Sequence, residues 1–296
     1  MTSSPVVAGI GEMLWDVYPE RAYFGGAPAN FACHAASLGA ESWMVSAVGD
    51  DALGDRALGS MGALGVRCDH VERDLVHPTG RVLVTLDAAG QPQYEIERDT
   101  AWDHLTWTDE LARFATRCDA VCFGSLAQRS PVSRATIRRF VEALPRHALR
   151  MFDVNLRQRF YDRDVIETSL ALASAVKLND EELPIVAELC GVEPGAPRET
   201  LRALMAQYGL RIAALTRGPR GALLLGEDME DECSAPRSTA VDTVGAGDSF
   251  TATMVMGVLR RLPLDRINRH ANAVASFVCS REGATPVIPD TLRTVA

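Results

Sequence analysis

Asp242-Thr243-Val244-Gly245-Ala246-Gly247-Asp248-Ser249-Phe250 is the stretch on which the reading of this chain turns. Two glycines flank Ala246 and a carboxylate follows. Phe250, Met254, Gly257, Val258 and Leu262 then recur at helical spacing, which predicts a helix beginning near Gly245 or Ala246. Glycines at that point let the backbone turn its N–H groups toward one place. The helix start adds the positive end of a dipole, so the place suits an anion such as a phosphate group. Asp248 falls within the first turn, beside that anion site. A carboxylate there repels a bound phosphate, a cost that makes sense if it accepts a proton from an attacking hydroxyl. The plainer alternative is an acid favoured in the first turn by the dipole alone.

The chain on either side alternates strand and helix patterns. Val6–Ile10 is a short apolar run ending at Gly11, as a buried strand would be. Pro28 at a first helical position and Gly39 past a last turn frame a helix through Phe31, Cys33 and Leu38. Strands are expected at Trp43–Val48, Ala120–Gly124, Arg150–Val154, Ala175–Leu178 and Ile212–Thr216. Helices are expected at Asp51–Leu64, Pro131–Leu144, Asp164–Ala173, Asp180–Cys190, Arg198–Tyr208, Ala246–Leu262 and Asp265–Arg281. This rhythm implies a mostly parallel central sheet with helices on both faces. Arg81–Leu86 and Gln93–Glu97 interrupt it with alternating residues around Ala88-Ala89-Gly90-Gln91, a hairpin with one wet face that reads as a projecting flap. A second hairpin is expected at Ala222–Leu225 and Glu232–Pro236.

The 296 residues allow one large α/β domain with a sizeable core. A net charge of −9 argues against a protein that grips nucleic acid through its overall field. The seven cysteines are odd in number and show no zinc-type pairing. No basic segment precedes an apolar run at the amino terminus, and no run of 18 apolar residues occurs. No membrane association is expected, and the expected compartment is the cytoplasm.

Ligands of open α/β sheets collect at the carboxyl ends of the strands, and the informative polar residues fall there: Asp16, Asp153, Asn155, Asn179, Glu182, Thr216, Gly218 and Gly221. Gly25-Gly26-Ala27-Pro28-Ala29-Asn30 and Asp242-Thr243-Val244-Gly245-Ala246-Gly247-Asp248 resemble the two signatures of the ribokinase-like sugar kinases, the PfkB family. Val48-Gly49-Asp50-Asp51 with Gly54, Asn179-Asp180-Glu181-Glu182, and Thr216-Arg217-Gly218 with Gly221 resemble intermediate blocks in the same order. Within the family, Gly11-Glu12-Met13-Leu14-Trp15-Asp16 and Asp153-Val154-Asn155-Leu156-Arg157 look most like fructokinases.

The resemblance implies a three-layer αβα sandwich spanning residues 1–296 as one domain, with a small β lid near residues 17–24 and 81–98. It implies that Asp16, Gly25, Gly26, Asn30, Arg98 and Asn155 bind sugar and that Asp248 is the base. Gly245, Ala246 and Gly247 would form the anion hole for the moving phosphoryl group. Asn179, Thr216, Gly218, Gly221 and Asn272 would border ATP. Glu182 would organise Mg²⁺ through water, although Asn179 and Glu182 are also spaced as a helix-capping pair. Asp242 and the backbone near Val244, Val278, Arg281 and Gly283 would hold a monovalent cation such as K⁺. Only eight residues separate Asp16 from Gly25, so the lid is expected to rest mainly on the Arg81–Glu97 hairpin. That argues against a homodimer made by exchanging lid strands, while leaving other homodimers open.

D-Fructose is the first expected substrate and 2-keto-3-deoxygluconate the second. Relatives that hold the keto-acid use a tyrosine two residues before the lid arginine, where Ile96 stands here. Sugar phosphates fit less well, because no clear basic cluster appears beyond Arg98 and Arg157. Nothing marks an aromatic sandwich for a purine nucleoside. Two other classes fit less well. A sugar-binding regulator without turnover has no use for Asp248. A nicotinamide-dependent oxidoreductase lacks the third glycine after Gly9-Ile10-Gly11.

Overall fold

The computed structural model describes residues 4–86 and 92–294. The chain begins with strands β1 (Val6–Ile10), β2 (Leu14–Val17) and β3 (Ala22–Gly25), then helix α1 (Ala27–Ser37), β4 (Glu41–Gly49), α2 (Ala52–Ala63) and β5 (Arg67–Asp74). β6 (Gly80–Leu86), β7 (Pro92–Ile96), α3 (Asp109–Ala115), β8 (Ala120–Phe123), α4 (Pro131–Ala143), β9 (Leu149–Asp153) and α5 (Arg163–Leu172) follow. Next come β10 (Ala175–Asn179), α6 (Glu182–Leu189), α7 (Pro197–Tyr208), β11 (Ile212–Thr216), β12 (Ala222–Gly226) and β13 (Glu230–Cys233). α8 (Ala246–Leu259), α9 (Leu264–Cys279) and α10 (Asp290–Arg293) complete the chain.

Nine strands form one sheet in the order β13-β12-β11-β10-β9-β8-β1-β4-β5. The pairs from β11 through β5 are parallel, and the β12–β13 hairpin adds two antiparallel strands at one edge. Strands such as β1 and β8 are buried along nearly their whole length, because helices cover both faces of a parallel sheet. One core joins the sheet to the α3–α7 side through Phe114, Phe140, Phe152, Ile166 and Leu204. The opposite face packs against α1, α8 and α9 through Phe31, Phe250, Met254 and Val274. This is the expected three-layer sandwich.

A second sheet runs β3-β2-β6-β7. The expected β lid near residues 17–24 is the antiparallel pair β2–β3 within residues 14–25; it supplies half of the strands, a larger share than a lid resting mainly on the Arg81–Glu97 hairpin would give it. β2 also pairs in parallel with β6, which fuses the two hairpins into one surface. The expected turn at 88–91 lies outside the described residues. β5 and α3 have no counterpart in the reading of the sequence. β5 is an edge strand whose Arg67, Asp69, Glu72 and Asp74 break up any apolar run, the usual way an edge is kept from pairing further.

Candidate active site

The carboxyl ends of the parallel strands converge on the start of α8. Gly245 precedes that helix at φ 78°. A Cβ there would run into the Ala284 carbonyl, so both the backbone angle and the space require glycine. The first helical bond runs from the Ser249 N–H to the Gly245 carbonyl at 2.9 Å. The N–H groups of Gly247 and Asp248 precede it and point out of the helix end.

Asp248 is half-buried in the first turn, and its Oδ2 accepts a 2.8 Å bond from Asn30 Nδ2 on α1. Burial pushes the Asp248 pKa up to about 6, helped by the charge of Asp153; the Asn30 bond, Lys177 and Arg157 act against it. Asn30 is itself buried, and its Oδ1 has no partner within the chain. Gly26, just before α1, has φ 108°, and a Cβ there would strike the Glu12 carbonyl. The turn before α1 therefore packs on the loop that follows β1.

Asp16 sits on β2, with Oδ2 against the Gly25 Cα. Burial raises its pKa to about 6, while Arg157 lowers it and Asp242 raises it. The charge of Arg157 reaches Glu12, Asp16 and Asp248 alike, so these three carboxyls belong to one cluster. Asn155 lies nearby in sequence, at φ 42° just past the end of β9.

Two members of this cluster were not read from the sequence. Glu12 is buried with Oε2 unpartnered, and burial pushes its pKa to about 7, with Arg157 lowering it and Asp248 raising it. Its signal was an acid in an otherwise apolar stretch after β1. Lys177 is buried on β10, with Nζ 3.0 Å from Asp153 Oδ1. A Cβ on Gly247 would lie 2.9 Å from that Nζ, so the ammonium stands at the helix start. Burial opposes its charge, but Asp153, Glu182 and Asp248 outweigh this and the pKa is raised. Asp153 Oδ2 also accepts from Thr251 Oγ1 at 2.7 Å. The signal for Lys177 was a lone charge inside Ala175-Val176-Lys177-Leu178.

On the neighbouring strand ends, Asn179 and Thr216 pair across β10 and β11. Asn179 Oδ1 accepts from the Glu181 and Glu182 N–H groups, and Glu182 Oε2 accepts from the Asn179 N–H, at 2.8–2.9 Å. That is the capping arrangement. Glu182 Oε1 accepts from the Leu156 N–H at 2.9 Å. Each Glu182 oxygen keeps a lone pair, so a hydrated Mg²⁺ fits this carboxylate better than a directly bound one. Gly218 and Gly221, at φ 54° and 84°, shape the turn between β11 and β12.

The remaining expected residues are spread more widely. Asn272 is buried inside α9 rather than on its surface, and its Nδ2 donates to the Asn268 carbonyl and side chain. Asp242 accepts from the Val244 and Gly283 N–H groups at 3.0 and 3.1 Å. The Val278 carbonyl accepts from the Arg281 N–H at 3.0 Å. Arg98 lies over the Phe160 ring and lines a cavity of about 560 Å³ with Arg81, Tyr94 and Gln158; neither Asp16, Asn30 nor Asp248 lines it. No helix among the described residues is long and apolar enough to cross a membrane.

A half-buried carboxylate facing a glycine-lined helix start, with an ammonium beside it, can deprotonate a hydroxyl and hold a phosphoryl group. An uncharacterized sugar kinase from Pyrococcus horikoshii is 28% identical to this chain, with a TM-score of 0.80 over 95% of this chain and 93% of that one; the same protein has been solved in complex with ATP. A fructokinase from Klebsiella pneumoniae is 30% identical over 241 residues, 79% of this chain and 76% of its own. The fructokinase of Xylella fastidiosa with bound ATP, 22% identical, shares the fold at a TM-score of 0.84 over 96% of this chain and 95% of its own. The fold is ribokinase-like. With the pfkB family carbohydrate kinase profile matching residues 20–291, the chain belongs to the PfkB family of carbohydrate kinases.

Proposed function

We propose that this kinase transfers the γ-phosphoryl group of ATP to a hydroxyl of a free sugar, D-fructose before others. The observation that carries the reading is the Asn30–Asp248 bond. It joins the first turn of α1, next to the glycine-rich turn where a sugar would lie, to the start of α8, where a phosphoryl group would lie. Asp248 takes the proton of the attacking hydroxyl, whose oxygen forms the new bond to phosphorus as the bond to the β-phosphate oxygen breaks. At the Gly245–Gly247 helix start, the outward N–H groups of Gly247 and Asp248 and the Lys177 ammonium hold the charge on the moving group, while the Ala246 N–H is turned to the Thr243 carbonyl. Asp16, Gly25, Gly26, Asn30 and Asn155 hold the sugar. Asn179, Thr216, Gly218, Gly221 and Asn272 border the nucleotide. Mg²⁺ supplies charge neutralisation of the phosphates when bound, held by Glu182 through water. The loop knotted by Asp242, Val244 and Gly283 is the place for K⁺, and the β2-β3-β6-β7 sheet acts as the lid. Since the chain works on small soluble molecules, the cytoplasm fits.

Fructose is preferred because of the Klebsiella relative and the motifs around Asp16 and Asp153. A coupled ADP-release assay over free sugars, sugar acids and sugar phosphates tests both parts of the proposal. The highest kcat/KM should belong to fructose. A much higher value for 2-keto-3-deoxygluconate would move the substrate to the sugar-acid class, and no ADP release with any acceptor would refute the kinase reading.

A further inference from the structure

Outside the catalytic cluster, three side chains gather at the base of the β6–β7 hairpin. His77 lies in the loop between β5 and β6, Asp99 follows β7, and His104 closes the short 3-10 helix Ala101–His104. One donor atom from each lies within 4.8 Å of the other two. His104 Nε2 is 2.8 Å from Asp99 Oδ1, and His77 Nε2 is 3.7 Å from the same oxygen.

From this geometry we propose a binding site for a zinc-class divalent ion on His77, Asp99 and His104. Two imidazoles and one carboxylate suit such an ion, whereas Mg²⁺ prefers oxygen donors alone. The support behind His77 strengthens the case. Its Nδ1 is 2.7 Å from Asp74 Oδ2, which fixes the ring so that Nδ1 donates and Nε2 offers a free lone pair. Carboxylate, histidine and metal in series is the usual way a ligating ring is oriented. Asp74 Oδ1 is occupied with the N–H groups of Val76 and His77, so the whole loop is held in place.

The other two donors are fixed from their own side. Asp99 stands at φ 57°, a conformation an aspartate tolerates better than most side chains. The Thr100–Asp103 capping box starts the helix that carries His104. The Ala101 N–H bonds the Pro78 carbonyl at 2.8 Å and ties the two segments together. The two imidazoles are stacked, with centroids 3.5 Å apart and planes 7° from parallel. A metal–nitrogen bond lies in the ring plane, so one ring must swing to share an ion. The His104 side chain, 32% exposed, has room to do so. With bonds of about 2.0–2.2 Å the three donors take three tetrahedral positions and leave the fourth to water. The ion would bridge the point where the chain enters the hairpin and the point where it leaves.

The test is zinc retention by the full-length protein. After loading with ZnCl₂ and exhaustive dialysis, the wild type should hold one zinc per chain by elemental analysis, and zinc should raise its unfolding temperature. The His77→Ala/His104→Ala double variant, checked for folding by circular dichroism, should lose both. Asp74→Asn, which keeps the loop bonds through Oδ1, should weaken zinc by about 10–100-fold. Co²⁺ substitution should give ligand-field bands without the strong near-ultraviolet thiolate band. That band, or equal zinc in wild type and double variant, would place the metal on the free cysteines and overturn the proposal. No retained zinc would overturn it too.

Discussion

Asn30 Nδ2 donates to Asp248 Oδ2 at 2.8 Å across 218 residues of sequence. The bond stabilises the ionised carboxylate against the burial that disfavours it. Asp248→Asn keeps the size and removes the proton acceptor, so kcat should fall by roughly 10²–10⁴-fold with little change in the KM for ATP. In the wild type, kcat/KM should decline below about pH 6, where Asp248 becomes protonated. Asn30→Ala removes a contact that lowers the pKa, so this acid limb should move to higher pH. A pH–rate series on the three proteins checks all of this. An Asp248→Asn enzyme with near-normal kcat would leave that residue as a helix-start acid only.

Gly247→Ala probes the other half of the helix start. The added methyl would press on Lys177 Nζ, the flexible end of a side chain, so the fold should survive. The ammonium would move and the anion site would shrink. kcat should fall by up to about 10²-fold, in the range for losing one transition-state donor. Steady-state kinetics beside a thermal melt separates this from unfolding.

Lys177 and Asp153 form a pair with side chains 7% and 5% exposed. Lys177→Met would leave the Asp153 carboxylate buried without its cation, at a cost of about 3–5 kcal/mol. Lys177→Met/Asp153→Leu removes both charges and should recover most of that stability, but not kcat. Denaturant midpoints and kcat for the single and double variants test it. Recovery of kcat in the double variant would deny Lys177 any part in phosphoryl transfer.

The strand–helix rhythm was legible because parallel strands buried on both faces read as short apolar runs, as Val6–Ile10 and Ile212–Thr216 do. β5 was not, because its solvent-facing charges look like a loop. The full extent of β2–β3 was hard to read for a different reason. Tyr18 to Arg21 closes a tight hairpin held by the Tyr18 N–H to the Arg21 carbonyl, and a four-residue strand carries little periodicity. Asp248 and Asn30 could be singled out because each sits in a dense local motif. Glu12 and Lys177 could not, since their partners Arg157, Asp248 and Asp153 lie far along the chain, in a loop, a helix and another strand, and only folding brings them together. Asn179 and Glu182 show the limit of spacing. The same three-residue separation fits a cap and a cation site, and the hydrogen bonds show the cap.

Asp16 should separate binding from chemistry. It lies on β2 against Gly25, on a different element from the helix start, and burial lifts its pKa to about 6 while Arg157 opposes this. Asp16→Asn should raise the sugar KM strongly and leave the KM for ATP nearly intact. Equal loss in both would mean that the substitution disturbs the lid rather than a sugar contact.

Glu12 offers a test that needs no substrate. Burial holds its pKa near 7 in the folded chain, against 4.5 for the free group. The folded state therefore binds the Glu12 proton more tightly than the unfolded chain does. Between those values the unfolded chain loses its proton first, so this group makes folding progressively less favourable as pH rises from about 4.5 to about 7. Glu12→Gln removes the ionisation while keeping an oxygen to accept the backbone N–H groups. Relative to wild type, the variant should gain up to about 3 kcal/mol on going from about pH 5 to about pH 8, the linkage value of that buried charge. Urea midpoints of both proteins at the two pH values measure the difference. Glu12 is still largely protonated where Asp248 titrates, so the acid limb of kcat/KM should stay in place in the same variant. A stability difference that does not change with pH would mean that Glu12 keeps an ordinary pKa, screened by Arg157 or by water.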